Sequence, residues 1–367
     1  MEQYDFTIGG DTIPYYISED YESTVKLFSD ISCDCFFVVY DKNIDIGSLC
    51  EVTLQGKKIV TIQSNVTEKT KNSDHLIELI EELIRKGVTR NSYIIAVGGG
   101  VVGNVVGLAA SLIYRGLKFI HIPTTIMAAS DSVLSIKQAV NSKEVKNIIG
   151  SYYAPKFICT IYPFFKSLPK RDFYAGMAEF MKNCLITHYE NREFIKSFDY
   201  ENFNQFSQFD TIIKRSIDTK SKILEDDKFE KKYAVILEYG HTFGHAIEMI
   251  MKGSVCHGEG VAFGMIAASI ISEQLGYIDD ADVQEHLALL QYIMPQLKMI
   301  PKIDTEVILK EMKKDNKRGY IEAKQDSIPL VILDYKDTKG YWRLENISND
   351  LIVSAIEKTY ELIALNK

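Results

Sequence analysis

Residues 92–104, SYIIAVGGGVVGN, run from a short apolar segment of strand type directly into a cluster of glycines. The residues that follow have helical character, so Gly98, Gly100 and Gly103 fit the pattern G-x-G-x-x-G between a strand and a helix. Glycines let the backbone approach a pyrophosphate, and the helix N-terminus supplies amide donors, which predicts a dinucleotide-binding turn. The usual acidic residue about 20 positions further on is missing, so Asp41 is the candidate partner for a ribose. The alternative is a turn whose glycines only let helix and strand pack closely.

The segments around this turn alternate in type, with strand-like runs on either side of a helical one: CFFVVYD (35–41), KKIVTIQ (57–63), HLIELIEELIRKG (75–87) and GLKFIHIP (116–123). This alternation predicts a Rossmann-like α/β domain with a parallel sheet over residues 1–165. Long helical runs follow, which predicts a mainly α-helical domain over residues 166–367. We expect the first domain to bind the dinucleotide and the second to bind metal and substrate.

The composition of the 367 residues, 46% apolar and 25% charged, is typical of a globular protein. A formal net charge of −8 argues against non-specific binding to nucleic acid or anionic membranes. The six cysteines form no C-x-x-C pair and the N-terminus lacks a secretory pattern, so we expect a cytoplasmic protein with free thiols. The uncharged segment from Tyr93 to Tyr114 could span a bilayer, but its five glycines and Asn104 favour a buried segment.

Three of the seven histidines fall within 17 residues, at His241, His245 and His257. The first two are four positions apart and would share one face of a helix. Glu179, in the apolar run GMAEFMKN, is a plausible third ligand beside two histidines. Such a site suits Zn²⁺ or Co²⁺ with one position left for a substrate oxygen. The alternative is a set of histidines that form hydrogen bonds in a helical core.

Several cations stand among apolar or small residues and could bind an anion such as phosphate: Arg115, Lys137, Lys146 with Asn147, Lys182, and the segment 315–318 that contains Lys317. Each of them taken singly is more commonly a solvated surface charge. Together with the glycine turn and the histidines, they indicate a phosphorylated, polyhydroxylated substrate.

The longer motifs of the chain occur in a characteristic order: GGGVVGN (98–104), PTT (123–125), KNIIG (146–150), GMAEFMKN (176–183), GHTFGHAIE (240–248) and HGE (257–259). In order and spacing the chain resembles the 3-dehydroquinate synthase-like sugar phosphate cyclases. The resemblance is dense from about residue 93 to 275 and returns at DNKRGY (315–320). It implies NAD and one divalent metal, Co²⁺ or Zn²⁺, as cofactors, and a homodimer in which Arg115 reaches into the neighbouring subunit.

The resemblance also implies roles for individual residues. The metal ligands would be Glu179, His241 and His257. Lys137 and His245 would be catalytic, and Arg115, Lys146, Asn147 and Lys317 would contact substrate and phosphate. Two further candidates come from the sequence and not from the resemblance: Glu238 as a catalytic base and Lys182 as a contact to phosphate. The NAD contacts would be Asp41, Glu68, Lys71, Gly98, Gly99, Gly100, Gly103, Asn104, Thr124, Thr125 and Asp131.

Two departures from the dehydroquinate synthase pattern bear on the substrate. That pattern has an arginine and an asparagine where this chain has Ala234 and Glu238. Loss of a guanidinium and gain of a carboxylate should repel a carboxylated substrate, so we expect a neutral sugar that carries only phosphate. The motifs look most like the branch that cyclises D-glucose 6-phosphate in aminoglycoside biosynthesis. Asn104 also replaces the usual aspartate after the glycine turn.

The chemistry implied is transient oxidation at C4, elimination of phosphate, re-reduction and intramolecular aldol closure. Cyclases that act on sedoheptulose 7-phosphate or on the dehydroquinate precursor are the first alternatives. A metal-dependent alcohol dehydrogenase, which would release NADH, and a catalytically silent NAD or sugar-phosphate sensor are the others.

Overall fold

The computed structural model describes residues 1–143, 145–187, 197, 205–314, 320–337 and 342–366. It divides into two compact units, Met1–Pro169 with Asn204–Asp226, and Lys170–Phe203 with Asp227–Lys367. The strands are β1 (Glu2–Ile8), β2 (Asp11–Ser18), β3 (Phe36–Asp41), β4 (Ile59–Ser64), β5 (Tyr93–Gly98), β6 (Lys118–Pro123), β7 (Lys137–Val140), β8 (Ile149–Tyr152), β9 (Phe157–Ile161), β10 (Ser327–Leu333) and β11 (Trp342–Ser348). The helices are α1 (Val25–Ser29), α2 (Ser73–Arg85), α3 (Gly100–Leu112), α4 (Lys170–Ile186), α5 (Phe206–Leu224), α6 (His241–Met251), α7 (His257–Gln274), α8 (Asp280–Leu289), α9 (Met294–Leu297), α10 (Thr305–Met312) and α11 (Asn349–Leu365).

The first unit is built on a sheet that, within the described residues, has seven strands in the order β1-β2-β9-β6-β5-β3-β4. The strands β2, β9, β6, β5, β3 and β4 pair in parallel, and only β1 is antiparallel to its neighbour. The central strands β3, β5 and β6 are mostly apolar and buried, as is typical of parallel sheets that are covered on both faces. The predicted Rossmann-like sheet is therefore confirmed.

Helix α3 follows β5 directly and packs against β5, β6 and β7. Eight of its 13 residues are buried, and small residues such as Gly103, Gly107 and Ala110 let it lie close to the sheet. The uncharged segment from Tyr93 to Tyr114 is thus a buried strand and helix of the core. Among the helices that the structure describes, none has the length and apolar character needed to cross a bilayer.

Helix α5 was expected in the second domain, but it belongs to the first unit and packs on β1. Phe209 lies against Tyr162 and Phe165, with ring centroids 5.1 and 4.6 Å apart. The Tyr4 hydroxyl also donates to the carboxylate of Asp210. The first unit therefore consists of Met1–Pro169 and the later segment Asn204–Asp226, because α5 packs on β1 and on the aromatic rings of Tyr162 and Phe165.

The second unit is mainly helical, as predicted, and α7 is its most buried helix. Helices α4, α6, α8 and α11 pack around α7. Gly264 makes the contact with the N-terminus of α6 possible, since a Cβ there would lie 1.9 Å from the Gly240 carbonyl oxygen. The antiparallel pair of β10 and β11, which the sequence analysis missed, also belongs to this unit. These contacts fix the three helices that carry the candidate metal ligands.

Candidate active site

The second unit brings together Glu179, His241 and His257, which the sequence suggested as metal ligands. Glu179 lies in α4, and the two histidines are the first residues of α6 and α7. The Glu179 Oε1 atom is 3.4 Å from His241 Nε2 and 3.2 Å from His257 Nε2. Glu179 is fully buried, and its Oε1 atom has no hydrogen-bond partner in the described part of the chain.

This donor set fits a divalent metal. Tetrahedral Zn²⁺ with ligands at about 2.0–2.2 Å places the ligand atoms about 3.3–3.6 Å from one another, close to the separations found here. The Nδ1 atom of His241 lies 3.1 Å from the Tyr239 carbonyl oxygen, which can only accept a hydrogen bond. The Nδ1 atom of His257 lies 2.7 Å from Glu248 Oε1. Both imidazoles therefore direct Nε2 toward Glu179, as metal-binding histidines do when an outer partner holds the other nitrogen.

The charges around Glu179 keep it ionised. Burial alone would raise the pKa of this carboxyl, but the Lys182 ammonium, 2.5 Å from Oε2, and the imidazole of His241 hold its pKa well below the usual range. Burial would lower the pKa of His257, yet the carboxylates of Glu248 and Glu179 raise it well above its usual value. A metal ion bound here would thus meet an ionised carboxylate.

His245 joins the same cluster without touching the Glu179 carboxylate in the contacts described. Its ring centroid lies 5.4 Å from that of His241 and 5.8 Å from that of His257, with which it is nearly parallel. His245, Glu248 and His257 form a second group of possible ligand atoms. Because the Glu248 carboxylate already pairs with His257 Nδ1, Glu248 acts as the outer partner of a ligand. Sequence reasoning missed Glu248, although it ends the motif GHTFGHAIE.

Lys182 is buried against Glu179, not solvated, so its proposed contact with phosphate stays a prediction. Ala234 is buried, and Glu238 is half-buried at the end of a 3₁₀ turn, three residues before His241. Asp227, which the sequence analysis overlooked, anchors this turn by accepting N–H groups from Lys231, Lys232 and Ala234 at 2.7–2.9 Å. These donors outweigh burial and lower the pKa of Asp227. The two positions that bear on substrate choice therefore lie on an ordered turn.

In the first unit, the glycine turn has the predicted form. Strand β5 ends at Gly98, Gly99 is the N-cap, and α3 begins at Gly100. The first turn of α3 has no side-chain cap and no acidic residue, so its amide groups remain available to an anion. Amide donors of this kind suit the pyrophosphate of a dinucleotide.

Packing also favours glycine at three of these positions. A Cβ on Gly98 would lie 2.9 Å from Val102 Cβ, one on Gly100 2.9 Å from Ser132 Oγ, and one on Gly103 3.0 Å from the His121 ring. Among these four glycines, only Gly99 could take a Cβ at ordinary van der Waals distance, since its nearest neighbour, in Thr125, would lie 3.4 Å away. The packing interpretation of the motif is therefore supported, and Gly99 is the position where packing leaves room for a side chain. Binding of a dinucleotide by this turn stays a prediction.

Three other predicted NAD contacts lie around this turn. The Thr124 N–H donates to the Gly98 carbonyl oxygen, and Asn104 joins α3 to β7 because its amide donates to Gly100 and accepts from the Ala139 N–H. The carboxylate of Asp131 lies 2.7 Å from the ammonium of Lys220, a buried residue of α5 that the sequence analysis missed. Only the fold could have revealed Lys220, because it is 89 residues from Asp131.

Four further predicted residues of this unit, Lys71, Asn147, Glu68 and Asp41, form hydrogen bonds within it. Lys71 is buried and donates to Asn147 at 2.7 Å, and burial lowers its pKa. Glu68 accepts from Asn141, which in turn accepts the Asn147 N–H, so these side chains form one network. Asp41 accepts two hydrogen bonds from Asn43 in the loop after β3.

For the other predicted substrate contacts, the structure shows their exposure but does not test their roles. Lys137 is exposed at the start of β7 and Lys146 is half-buried. Arg115 is exposed and has a left-handed φ of 66°. Lys317 lies outside the described residues. Their roles stay predictions.

Comparisons with known proteins show the family to which the chain belongs. Family models described as 3-dehydroquinate synthase N-terminal and C-terminal match residues 61–175 and 176–318. The 2-deoxy-scyllo-inosose synthase of Niallia circulans is 43% identical over 269 residues, which cover 72% of this chain and 73% of that protein. The chain belongs to the 3-dehydroquinate synthase-like sugar phosphate cyclases. The family predicted from the motifs is confirmed.

Solved structures of the sugar phosphate cyclase family also match over almost the whole chain. A 2-deoxy-scyllo-inosose synthase complexed with carbaglucose-6-phosphate, NAD⁺ and Co²⁺ has a TM-score of 0.89 at 33% identity, and the match covers 97% of this chain and all of that one. ValA, a 2-epi-5-epi-valiolone synthase from Streptomyces hygroscopicus with NAD⁺ and Zn²⁺ bound, has a TM-score of 0.82 at 20% identity, with 96% and 97% covered. The second likeness shows the fold alone. The predicted fold class is confirmed.

Proposed function

We propose that this sugar phosphate cyclase converts D-glucose 6-phosphate to 2-deoxy-scyllo-inosose and phosphate, and so acts as a carbon–oxygen lyase of aminoglycoside biosynthesis. The observation that carries the proposal is the converging, buried donor set of Glu179, His241 and His257 in a chain 43% identical to a 2-deoxy-scyllo-inosose synthase. The solved relative with bound carbaglucose-6-phosphate, a phosphorylated sugar analogue, supports the same class of substrate.

The cofactors in this proposal are NAD and one divalent metal, Co²⁺ or Zn²⁺. Glu179, His241 and His257 would hold the metal. The amide groups at the start of α3, together with Thr124, Thr125 and Asp131, would hold NAD. When bound, NAD supplies a reversible hydride exchange at C4 and the metal supplies Lewis-acid stabilisation of the reacting hydroxyl.

The reaction also needs a base and contacts to phosphate. Removal of the C5 proton precedes the loss of phosphate from C6, and the candidate bases are the substrate phosphate itself, Glu238 and His245. Lys137, Lys146, Asn147, Lys182, Lys317 and Arg115 are the proposed contacts to phosphate and sugar oxygens. Positioning the intermediate for aldol closure would make that step effectively intramolecular.

The substrate proposal rests on the turn that carries Ala234 and Glu238. Ala234 offers no cation to a substrate carboxylate, and Glu238 adds negative charge. A neutral sugar that is charged only at its phosphate avoids this repulsion. The proposed homodimer with Arg115 at its interface, and the cytoplasmic location, rest on the family resemblance and on the cysteines, which form no disulfides.

The test is inorganic phosphate release in the presence of NAD⁺ and Co²⁺ or Zn²⁺. Glucose 6-phosphate, sedoheptulose 7-phosphate and the carboxylated precursor of dehydroquinate are compared, with mass analysis of the product. Release from glucose 6-phosphate alone, with a carbocyclic ketone as product, is the expected result. Release from only one of the other two would overturn the substrate proposal, and no release from any of them would favour the dehydrogenase or the sensor.

A further inference from the structure

An ion pair outside the ligand set joins the two helices that carry Glu179 and His257. Arg171, in the first turn of α4, binds Glu259 of α7 through both ends of its guanidinium. Its Nε atom lies 2.6 Å from Oε1, and its Nη2 atom lies 2.7 Å from Oε2. The Glu259 side chain is 2% exposed, whereas that of Arg171 is half-exposed. This two-point contact fixes the direction of the carboxylate as well as its charge.

Glu259 also organises the beginning of α7. Its Oε2 atom accepts the Cys256 N–H at 3.0 Å, and the Cys256 side chain pairs with the Glu259 N–H in a reciprocal capping box. Arg171 donates in addition to the Ser254 carbonyl oxygen at 2.8 Å. One guanidinium therefore holds both the segment before α7 and its first turn.

The backbones of α4 and α7 nearly touch beside this ion pair. A Cβ on Gly258 would lie 1.9 Å from the Ala175 carbonyl oxygen, so only glycine fits there. Gly258 follows the ligand His257 directly, and Ala175 stands one helical turn before the ligand Glu179. The same contact between helices therefore sets the position of His257 Nε2, 3.2 Å from Glu179 Oε1.

We propose that Arg171 and Glu259 are positioning residues of the metal site, which hold the first turn of α7 on α4 and thereby fix His257 relative to Glu179. This inference rests on the proposed metal site. Neither residue is a proposed ligand. A metal site tolerates displacements of only about 0.5 Å in its ligands, so loss of the pair should lower metal affinity.

The effect should depend on the two-point geometry as well as on charge. Lysine at position 171 would keep the positive charge but would present a single point instead of a planar fork. The Glu259 carboxylate receives two hydrogen bonds from the Arg171 guanidinium and one from the Cys256 N–H, so the guanidinium supplies most of its partners. Arg171→Gln would leave that buried carboxylate with the Cys256 N–H and no cation.

A second ion pair of the same unit provides a matched control. Arg343 of β11 binds Asp334, whose side chain is 3% exposed, while Arg343 itself is 41% exposed. This pair is as buried on its acidic side as the pair of Arg171 and Glu259, but it joins residues around the β10 and β11 hairpin instead of the ligand helices. Arg343→Gln therefore reports what loss of such an ion pair does to stability alone.

The experiment measures Co²⁺ affinity of the full-length protein by competition with a chelator, together with the visible absorption of the bound Co²⁺. The variants are Arg171→Gln, Arg171→Lys, Glu259→Gln, Arg343→Gln and His241→Ala, each with its thermal unfolding recorded without metal. We expect the Kd for Co²⁺ to rise about tenfold or more in Arg171→Gln and Glu259→Gln, and less in Arg171→Lys, with an altered Co²⁺ spectrum. Arg343→Gln should bind Co²⁺ within about twofold of the unmodified protein, the range of ordinary context effects.

Unchanged Co²⁺ affinity and spectrum in all three variants of the pair, with affinity lost in His241→Ala, would overturn the positioning role and leave the metal site intact. An equal loss of affinity in Arg343→Gln would overturn it too, because the effect would then follow stability. Unchanged affinity in His241→Ala would overturn the proposed metal site and the positioning role together. If Arg171→Gln fails to fold, Arg171→Lys decides the outcome.

Discussion

The glycine turn of the first unit and the histidine cluster of the second differ in what their geometry demands. In the cluster, a fully buried carboxylate and two imidazole nitrogens converge at 3.2 and 3.4 Å, an arrangement that needs a cation or protons between them. In the turn, a Cβ on Gly98, Gly100 or Gly103 would lie 2.9–3.0 Å from Val102, Ser132 or His121, so packing by itself already favours glycine there. Converging donors thus point to a ligand by themselves, whereas a glycine pattern can serve packing and ligand binding at once.

The largest effect should come from removing a ligand. His241→Ala takes one of the three donors away and leaves Glu179 facing a single imidazole. We expect phosphate release from glucose 6-phosphate to fall about 1,000-fold or more, because a metal supplies several kcal/mol of transition-state stabilisation. Metal content by elemental analysis accompanies the rate measurement. A variant that retains both full metal content and full rate would contradict the role of the cluster.

Glu238→Asn addresses proton removal near the cluster. Loss of a positioned base should lower kcat about 100-fold, while Co²⁺ binding stays unchanged because Glu238 is not a proposed ligand. Phosphate release at saturating substrate checks the rate, and a chelator competition checks the metal. Undiminished phosphate release would refute the assignment of Glu238.

Glu248→Gln tests whether the hydrogen bond from Glu248 to His257 contributes to metal binding. The carboxylate lies 2.7 Å from His257 Nδ1, and an amide would neither carry its charge nor favour the same ring orientation. We expect Co²⁺ affinity to fall between about 10- and 100-fold. The measurement is the same chelator competition, with Glu248→Asp as a variant that keeps the charge. Equal affinity in Glu248→Gln would mean that His257 needs no outer partner.

Two substitutions at the turn separate packing from binding, and their effects should be the smallest. Gly103→Ala would press on the buried His121 ring and should cost about 1–3 kcal/mol of the free energy of unfolding. Gly99→Ala, with φ of −73° and its nearest contact at 3.4 Å, should leave stability unchanged but raise the Kd for NAD⁺ about tenfold, a loss of about 1.4 kcal/mol. Thermal unfolding and NAD⁺ titration of both variants decide the matter. Normal NAD⁺ affinity in Gly99→Ala would leave only the packing explanation for the turn.

The sequence predicted local and periodic features well. The alternation of strands and helices predicted the parallel sheet and α3, and the spacing of His241 and His245 placed them on one helix face. The return of α5 to the first unit could not be predicted, because it depends on contacts such as that of Tyr4 with Asp210, 206 positions apart. The sequence analysis misses the hairpin of β10 and β11 because both strands lie in the half of the chain for which it predicts mainly helices.

The candidate site divides in the same way. The metal ligands could be proposed because their residue types are rare and clustered, while their partners could not. Glu248 and Tyr239 contact the candidate ligands His257 and His241 through a carboxylate and a backbone carbonyl. Lys220 likewise pairs with the predicted NAD contact Asp131, and all three contacts depend on distances that only the fold sets. For Lys182, the sequence suggests a cation that faces an anionic substrate, and the structure shows its ammonium buried against Glu179. Its contact with phosphate stays a prediction.

The central claim is that this chain uses NAD and a metal to cyclise glucose 6-phosphate and not merely to oxidise an alcohol. The most direct measurement follows inorganic phosphate and nicotinamide absorbance together in one reaction with glucose 6-phosphate, NAD⁺ and Co²⁺. We expect sustained phosphate release with no net accumulation of NADH, because each hydride removed is returned within the same turnover. Accumulation of NADH in proportion to turnover, without release of phosphate, would contradict the account and identify a dehydrogenase.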